Sequence, residues 1–258
     1  MVGLNYRLGP LGFLTGKGTD VTANLGLHDQ VLALKWVQAN VHHFGGDPNQ
    51  VTVFGESAGS RSVDALILSP LTKGLFHRAI MESGTAIGLL TDMDETVGMT
   101  TALMDLVNCS TSEGIAAGIE CLKTTPVESL QKACLEGKAY NAPFTTFRPI
   151  LGFGDDFCPD SAVQTLKKGK FHGIDLMIGV MNDEGSLFVV ANNSAILTTN
   201  LTAKAAWEAI HKLMYREPQP EAIANYYTRH LKQYNMLRDS ADFADWYQFV
   251  LKHRVSEA

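Results

Sequence analysis

The chain lacks most of what marks a membrane-spanning, nucleic-acid-binding or metal-binding protein. No apolar run approaches the ~18 residues that a membrane-crossing helix needs. Basic residues are outnumbered, 21 Lys and Arg against 27 Asp and Glu. The net charge of −6 and pI near 5.7 leave no basic patch for nucleic acid or anionic lipid. The histidines (28, 42, 43, 77, 172, 211, 230 and 253) show no ligand spacing with cysteine or carboxylate, so neither a metal nor a cofactor is expected. His42 and His43 are adjacent at a helix end and should turn their rings apart. Four cysteines are too few to fix a connectivity by count. There is no internal repeat, low-complexity tract or interdomain linker. The opening Met1-Val2-Gly3-Leu4 does not read as a secretory leader; it reads as a strand already under way.

What is present suits an α/β enzyme. With 258 residues and 45% hydrophobic content, the chain can bury a sizeable core within one domain. The pattern predicts strands at 1–6, 51–54, 78–82 and 175–180. It predicts helices at 24–43, 58–68, 93–107, 111–123, 126–136 and 160–168, then at 203–214, 219–232 and 240–254. Leu27, Leu34, Val37 and Val41 form the apolar stripe of the 24–43 helix. Strands alternating with helices imply a mainly parallel sheet with helices on both faces. The helical insertion at 93–136 is expected over the C-terminal edge of the sheet, where such folds bind ligands.

One motif carries chemistry. Gly55-Glu56-Ser57-Ala58-Gly59 is a Gly-x-Ser-x-Gly pentapeptide. It is preceded by Val51-Thr52-Val53-Phe54, a β-branched and aromatic run, and followed by the helical pattern Ala58 to Leu68. A strand, a sharp turn and a helix in that order make a nucleophile elbow. Side chains at Gly55 and Gly59 are expected to collide with neighbouring backbone. A plain Gly-Ser turn is the competing reading.

Beyond the pentapeptide, Phe44 to Gly59 as a whole resembles the active-serine signature of type-B carboxylesterases, the family that includes cholinesterases. Further blocks resemble it in the same order: Asn5 to Phe13, Asn24 to Gln30 with Leu34 to Gln38, Ser69-Pro70 with Gly74 to Gly84, and Leu176 to Ser186. The resemblance implies a partial α/β-hydrolase fold and hydrolysis of a small carboxylic ester by Ser57, with Glu184 as the acid of a Ser–His–Glu triad. Asp183 is the weaker alternative for the acid, and a solvated turn is the non-functional one. Ala58 would donate its N–H to the oxyanion. Glu56 would face the active-site gorge or serve as a structural carboxylate bonded to backbone. Ser83 would stand near the triad acid or simply end a strand.

The same likeness implies that residues 1–258 are a single incomplete domain. An upstream His-Gly-Gly segment and a downstream turn bearing the catalytic histidine would both lie outside it, and the fragment alone would be nearly inactive. It further implies a disulfide between Cys109 and Cys121, with Cys134 and Cys158 unassigned. That bridge, with Asn-x-Ser/Thr sequons at Asn108, Asn192 and Asn200, points to secretion or the ER lumen.

Some positions depart from the family pattern. Ser60, Arg61 and Asp64 stand where small residues are usual, and Arg61 with Asp64 is expected to form an ion pair within the helix. The stretch from Pro149 to Phe157 is longer than the usual Pro-x-x-Asp-Gly turn. A non-catalytic adhesion or binding domain of the same family is the alternative function. The choice of ester, oligomeric state and membrane association are not legible.

Overall fold

The computed structural model describes residues 1–87, 93–110, 112–136, 147–153 and 155–181, together with 204, 207, 208, 221, 222 and 225. The chain divides into two compact units, Met1–Val180 and Met181–Ala258.

The first unit is built on a three-stranded parallel sheet in the order β1 (Thr52–Glu56), β2 (Arg78–Glu82), β3 (Asp175–Gly179). Register pairs Thr52 with Arg78 and Glu56 with Glu82, then Arg78 with Asp175 and Glu82 with Gly179. All three strands therefore end level, and the turns that leave β1 and β2 share one rim. Parallel neighbours need a crossover, and between β1 and β2 it is helix α3 (Ala58–Leu68).

Helix α3 is buried around most of its circumference in its second half, where residues 65–68 are all apolar. Val63, Ala65, Leu66, Ile67 and Leu68 are buried, and they pack with Ala79 and Met81 of β2. Each such aliphatic side chain contributes about 1.5–3 kcal/mol by leaving water. The helix stops at Ser69, whose hydroxyl accepts from Leu71 N–H and donates to the Phe157 carbonyl, and Pro70 comes next. Behind it lies α2 (Leu25–Asn40), which buries Leu27, Val31 and Leu34. Val37 and Val41 are only half-buried, and Val31 takes the place expected for them. Gln30 joins the two helices by donating to Ser62 Oγ over 3.2 Å. The face of the sheet away from α3 carries no helix among the described residues, and Phe54 on it is exposed.

Three expectations need correction. Residues 1–6 form no strand, since no neighbouring strand among the described residues takes up their backbone bonds. The chain instead enters a short helix, α1 (Gly9–Phe13), just beyond them. The helix expected to run to residue 43 ends at Asn40, and Val41–Phe44 tightens into a 3₁₀ turn. On that turn the rings of His42 and His43 lie together, centroids 3.8 Å apart, because side-chain rotation outweighs the divergence of adjacent helical positions.

The insertion contains α4 (Met93–Leu106), α5 (Ile115–Thr124) and α6 (Val127–Glu136). Met99, Leu103, Met104, Ile119, Leu122 and Leu130 pack its interior. Its attachment is to the segment after α1: Thr100 Oγ1 donates to the Thr15 carbonyl over 2.7 Å. The long turn after Pro149 is held at Asn24, whose Nδ2 donates to the Ile150 carbonyl and to Asp155 Oδ2, while Oδ1 accepts from Ile150 N–H. The extra residues are thus accommodated between two fixed points, Ile150 and Asp155. Helix α7 (Ala162–Lys167), capped by the Ser161 hydroxyl on Gln164 N–H, leads on to β3.

In the second unit positions 204, 207, 208, 221, 222 and 225 are helical, and Trp207 Nε1 donates to Asn225 Oδ1 over 2.9 Å. The 240–254 helix lies outside the described residues.

Candidate active site

Ser57 stands between β1 and α3 with φ 53° and ψ −111°. A residue with a Cβ pays of order 1–3 kcal/mol for such a backbone, so the surroundings must enforce it. They do so from both sides. Ser57 N–H donates to the Glu82 carbonyl at 2.8 Å, extending the β1–β2 ladder, while its own carbonyl accepts from Arg61 N–H at 3.0 Å and opens the helix. The residue belongs to strand and helix at once, and its side chain is exposed.

The turn is closed by a backbone approach that only glycine permits. A Cβ on Gly55 would lie 2.5 Å from the Gly59 carbonyl carbon and 2.6 Å from its oxygen. Gly59 does not meet the expected collision: a Cβ there would find nothing within 4 Å. The contact is one-sided. Gly59 offers its backbone to Gly55, while its own Cβ direction points into open space.

Ser83 ends β2 as Ser57 ends β1. It has φ 58°, is half-buried, and its N–H donates to the Gly179 carbonyl of β3 at 2.9 Å. Gly84 beside it is wedged against the elbow, where a Cβ would lie 2.7 Å from the Ser57 carbonyl oxygen and 3.0 Å from Arg61 Cγ. Ser60 Oγ donates to the Gly84 carbonyl over 2.7 Å and locks the two turns together. Ala58 is the first residue of α3, so its N–H belongs to the first turn and has no intrahelical acceptor. Glu56 is exposed beside Glu82, its register partner. The structure thus gathers Gly55, Glu56, Ser57, Ala58, Gly59 and Ser83 at one rim. Glu184 and Asp183 lie outside the described residues, as do Asn192 and Asn200.

The charges on α3 depart from expectation. Arg61 and Asp64 do not pair. Asp64 Oδ2 instead accepts from Ala86 N–H at 2.7 Å. Burial raises the Asp64 carboxyl above the ordinary aspartate range, an effect the Ala86 amide partly offsets. Arg61 is pushed below its ordinary value, first by burial and then by the like charge of Arg148. A backbone amide fixed by the turn after β2 outcompetes a flexible guanidinium for the carboxylate. Sequence reading passed over Arg148; the only available signal was a second cation in a segment flanking the long turn.

Upstream of the elbow, Arg7 clamps Asp29 with Nε–Oδ2 at 2.8 Å and Nη2–Oδ1 at 2.7 Å, and Arg7 N–H adds a third bond at 3.0 Å. This fork ties the N-terminal segment to α2 and draws the Asp29 carboxyl below its ordinary value. Among the described residues, no group of three or more His, Cys, Asp or Glu side chains is placed to hold a metal ion.

A parallel sheet whose first described crossover opens on a strained, exposed serine is the core of an α/β-hydrolase. The chain matches the Carboxylesterase family over residues 1–252. It belongs to that family. Among its relatives is Esterase E4 of Myzus persicae, 41% identical over 72% of this chain and 34% of the relative. Para-nitrobenzyl esterase of Bacillus subtilis is 34% identical over 93% of this chain and 47% of the relative. Neuroligin-2 of Homo sapiens is 39% identical over 72% of this chain and 22% of the relative. The carboxylesterase chain described here therefore spans less than half the length of these relatives.

Within this carboxylesterase chain, Cys109 and Cys121 are joined with a Cα–Cα distance of 5.5 Å. Cys134 is a free, exposed thiol and Cys158 a free, buried one. Asn108, next to the bridge, is exposed with φ 59°, and the Ser110 hydroxyl of its sequon donates to Asp105. No helix of the described residues is long and apolar enough to cross a membrane.

Proposed function

We propose that the full-length protein hydrolyses carboxylic esters through an acyl-enzyme on Ser57, and that residues 1–258 form part of a single catalytic domain. The observation that carries this reading is the Ser57 backbone itself, held at φ 53° in an exposed strand-to-helix turn. An ordinary Gly-Ser turn has no reason to bear that strain.

In the proposed reaction, Ser57 Oγ bonds to the acyl carbon while its proton passes to an imidazole acting as general base. The carbonyl oxygen takes up negative charge, stabilised by Ala58 N–H and the N-terminal turn of α3. As the carbonyl re-forms, the carbon–alkoxy bond breaks and the imidazolium gives its proton to the leaving alcohol. Water repeats the sequence and releases the acid. Glu184 orients the imidazole and stabilises its charge. Ser83 acts as a positioning residue near that acid, and Glu56 faces the gorge. The disulfide and the exposed Asn108 support an oxidising compartment, secreted or in the ER lumen, with Asn108, Asn192 and Asn200 as glycosylation sites.

A second reading, a binding or adhesion domain without catalysis, draws on the likeness to neuroligin-2, whose name is not that of an esterase. One experiment separates them: fluorophosphonate labelling of the folded full-length protein. The hydrolase reading expects adduct on Ser57 and a sharp drop in labelling for Glu184→Gln. A folded protein that leaves Ser57 unlabelled rejects catalysis and retains binding.

A further inference from the structure

We propose that Asp64 is a positioning residue for Ser57, acting through a strap of backbone, residues 82–86, that it fastens along the elbow helix. This rests on reading Ser57 as the nucleophile.

The strap follows one face of α3. Ser57, Ser60 and Asp64 are spaced by three and then four residues, so they stack on one side of its first two turns. Each of them holds the segment that leaves β2. Ser57 N–H donates to the Glu82 carbonyl at 2.8 Å, Ser60 Oγ donates to the Gly84 carbonyl at 2.7 Å, and Asp64 Oδ2 accepts from Ala86 N–H at 2.7 Å. The bonds fall at every second residue of the strap. Gly84 lies so near the elbow that a Cβ there would stand 2.7 Å from the Ser57 carbonyl oxygen. Movement of the strap therefore reaches the atoms around Ser57 directly.

Ser57 depends on that hold. Its φ of 53° persists only where the surroundings over-determine it. The acceptor for its amide, the Glu82 carbonyl, belongs to the first residue of the strap. The near end is tied to the sheet, since Ser83 N–H donates to the Gly179 carbonyl of β3 at 2.9 Å. The far end is tied to the helix by Asp64, at a residue, Ala86, that is 1% exposed. An ionised acceptor makes such a bond roughly twice as strong as a neutral one. Burial works against the Asp64 charge, so the carboxylate opposes stability at this position while it stiffens the turn. Without an acceptor at residue 64 the far end swings free. The Glu82 carbonyl then drifts, and Ser57 relaxes toward an unstrained backbone that carries its hydroxyl off line.

The test measures kcat for 4-nitrophenyl acetate on the full-length protein, per active site titrated with fluorophosphonate, so that misfolded molecules do not count. Asp64→Ala should lower kcat per titrated site about tenfold, short of the ~100-fold that a 1 Å displacement costs. Asp64→Asn keeps an oxygen for Ala86 N–H and should stay within about threefold of wild type. A merely structural role would lower the melting temperature or the yield of titratable sites and leave kcat per site unchanged. That result overturns the proposal, as do equal losses in Asp64→Ala and Asp64→Asn. If Asp64→Ala does not fold, Ser60→Ala removes the middle bond and decides: a loss of about threefold per site supports the strap, and no loss overturns it. If wild-type Ser57 resists fluorophosphonate, the hydrolase reading fails separately and amide hydrogen exchange judges the strap. The Ser57 amide should then exchange about tenfold faster in Asp64→Ala than in wild type; equal rates overturn it.

Discussion

The two glycines of the elbow should respond in opposite ways to the same substitution. In Gly55→Ala the added methyl would sit 2.5 Å from the Gly59 carbonyl carbon, 2.6 Å from its oxygen and 2.9 Å from its Cα. All three are backbone atoms, so no side chain can swing aside and the turn itself must open. Forced overpacking of this kind costs about 1–3 kcal/mol. For a domain of this size that corresponds to roughly 2–12 °C in Tm. The shift falls on the residues that set the Ser57 hydroxyl. A displacement near 1 Å lowers reactivity on the order of 100-fold. Gly59→Ala places its methyl in open space inside a helix, where alanine is favoured over glycine by up to ~1 kcal/mol. Thermal unfolding of the 258-residue chain measures the first effect, and the fluorophosphonate labelling rate of the full-length protein measures the second. If Gly55→Ala matches wild type in both, or if Gly59→Ala destabilises as much as Gly55→Ala, the steric account of the elbow is refuted.

Other outcomes rest on the same geometry. The Cys109–Cys121 bridge closes a short loop, and in the chain-entropy model its removal by a double Cys→Ser change costs ~3 kcal/mol; equal denaturation midpoints for variant and parent would contradict this. The raised pKa of Asp64 means the folded chain binds that proton more tightly than the unfolded chain, so its contribution to stability falls as pH rises through and above the ordinary aspartate range. Asp64→Asn keeps an oxygen for Ala86 N–H and should be more stable than wild type at neutral pH, with the gain shrinking as pH falls from the raised folded pKa toward the ordinary aspartate value and levelling off below about pH 4; a gain that grows on acidification refutes the sign. Asp29 behaves oppositely. Its pKa is lowered by Arg7, so its stabilisation is present above the unfolded value and lost as pH falls through the folded one. Because the pair is partly exposed and screened by solvent, Asp29→Asn should cost only about 0.5–1 kcal/mol at neutral pH, and less near pH 3, by urea denaturation.

The parts legible in the sequence were those decided within a few residues of chain. Thr52 to Leu68 announces a strand, a turn and a helix because β-branched pattern, glycine placement and apolar spacing act locally, and the structure has β1, the Ser57 turn and α3 there. The insertion helices were legible for the same reason, although the second begins at Ile115, not 111. Residues 1–6 have strand composition, yet composition supplies no partner, and a strand exists only with a neighbour to accept its bonds.

Tertiary structure alone decided which atoms meet across long stretches of chain. Glycine spacing could not reveal that Gly55 is sterically obliged and Gly59 is not, because that depends on the angle at which α3 leaves β1. Helical spacing paired Arg61 with Asp64, but the turn after β2 brings Ala86 N–H closer, and a fixed amide displaces a mobile cation. Arg61 and Arg148 are 87 positions apart in the sequence. The influence of Arg148 on Arg61 leaves no trace in local pattern, since it arises only in the folded chain.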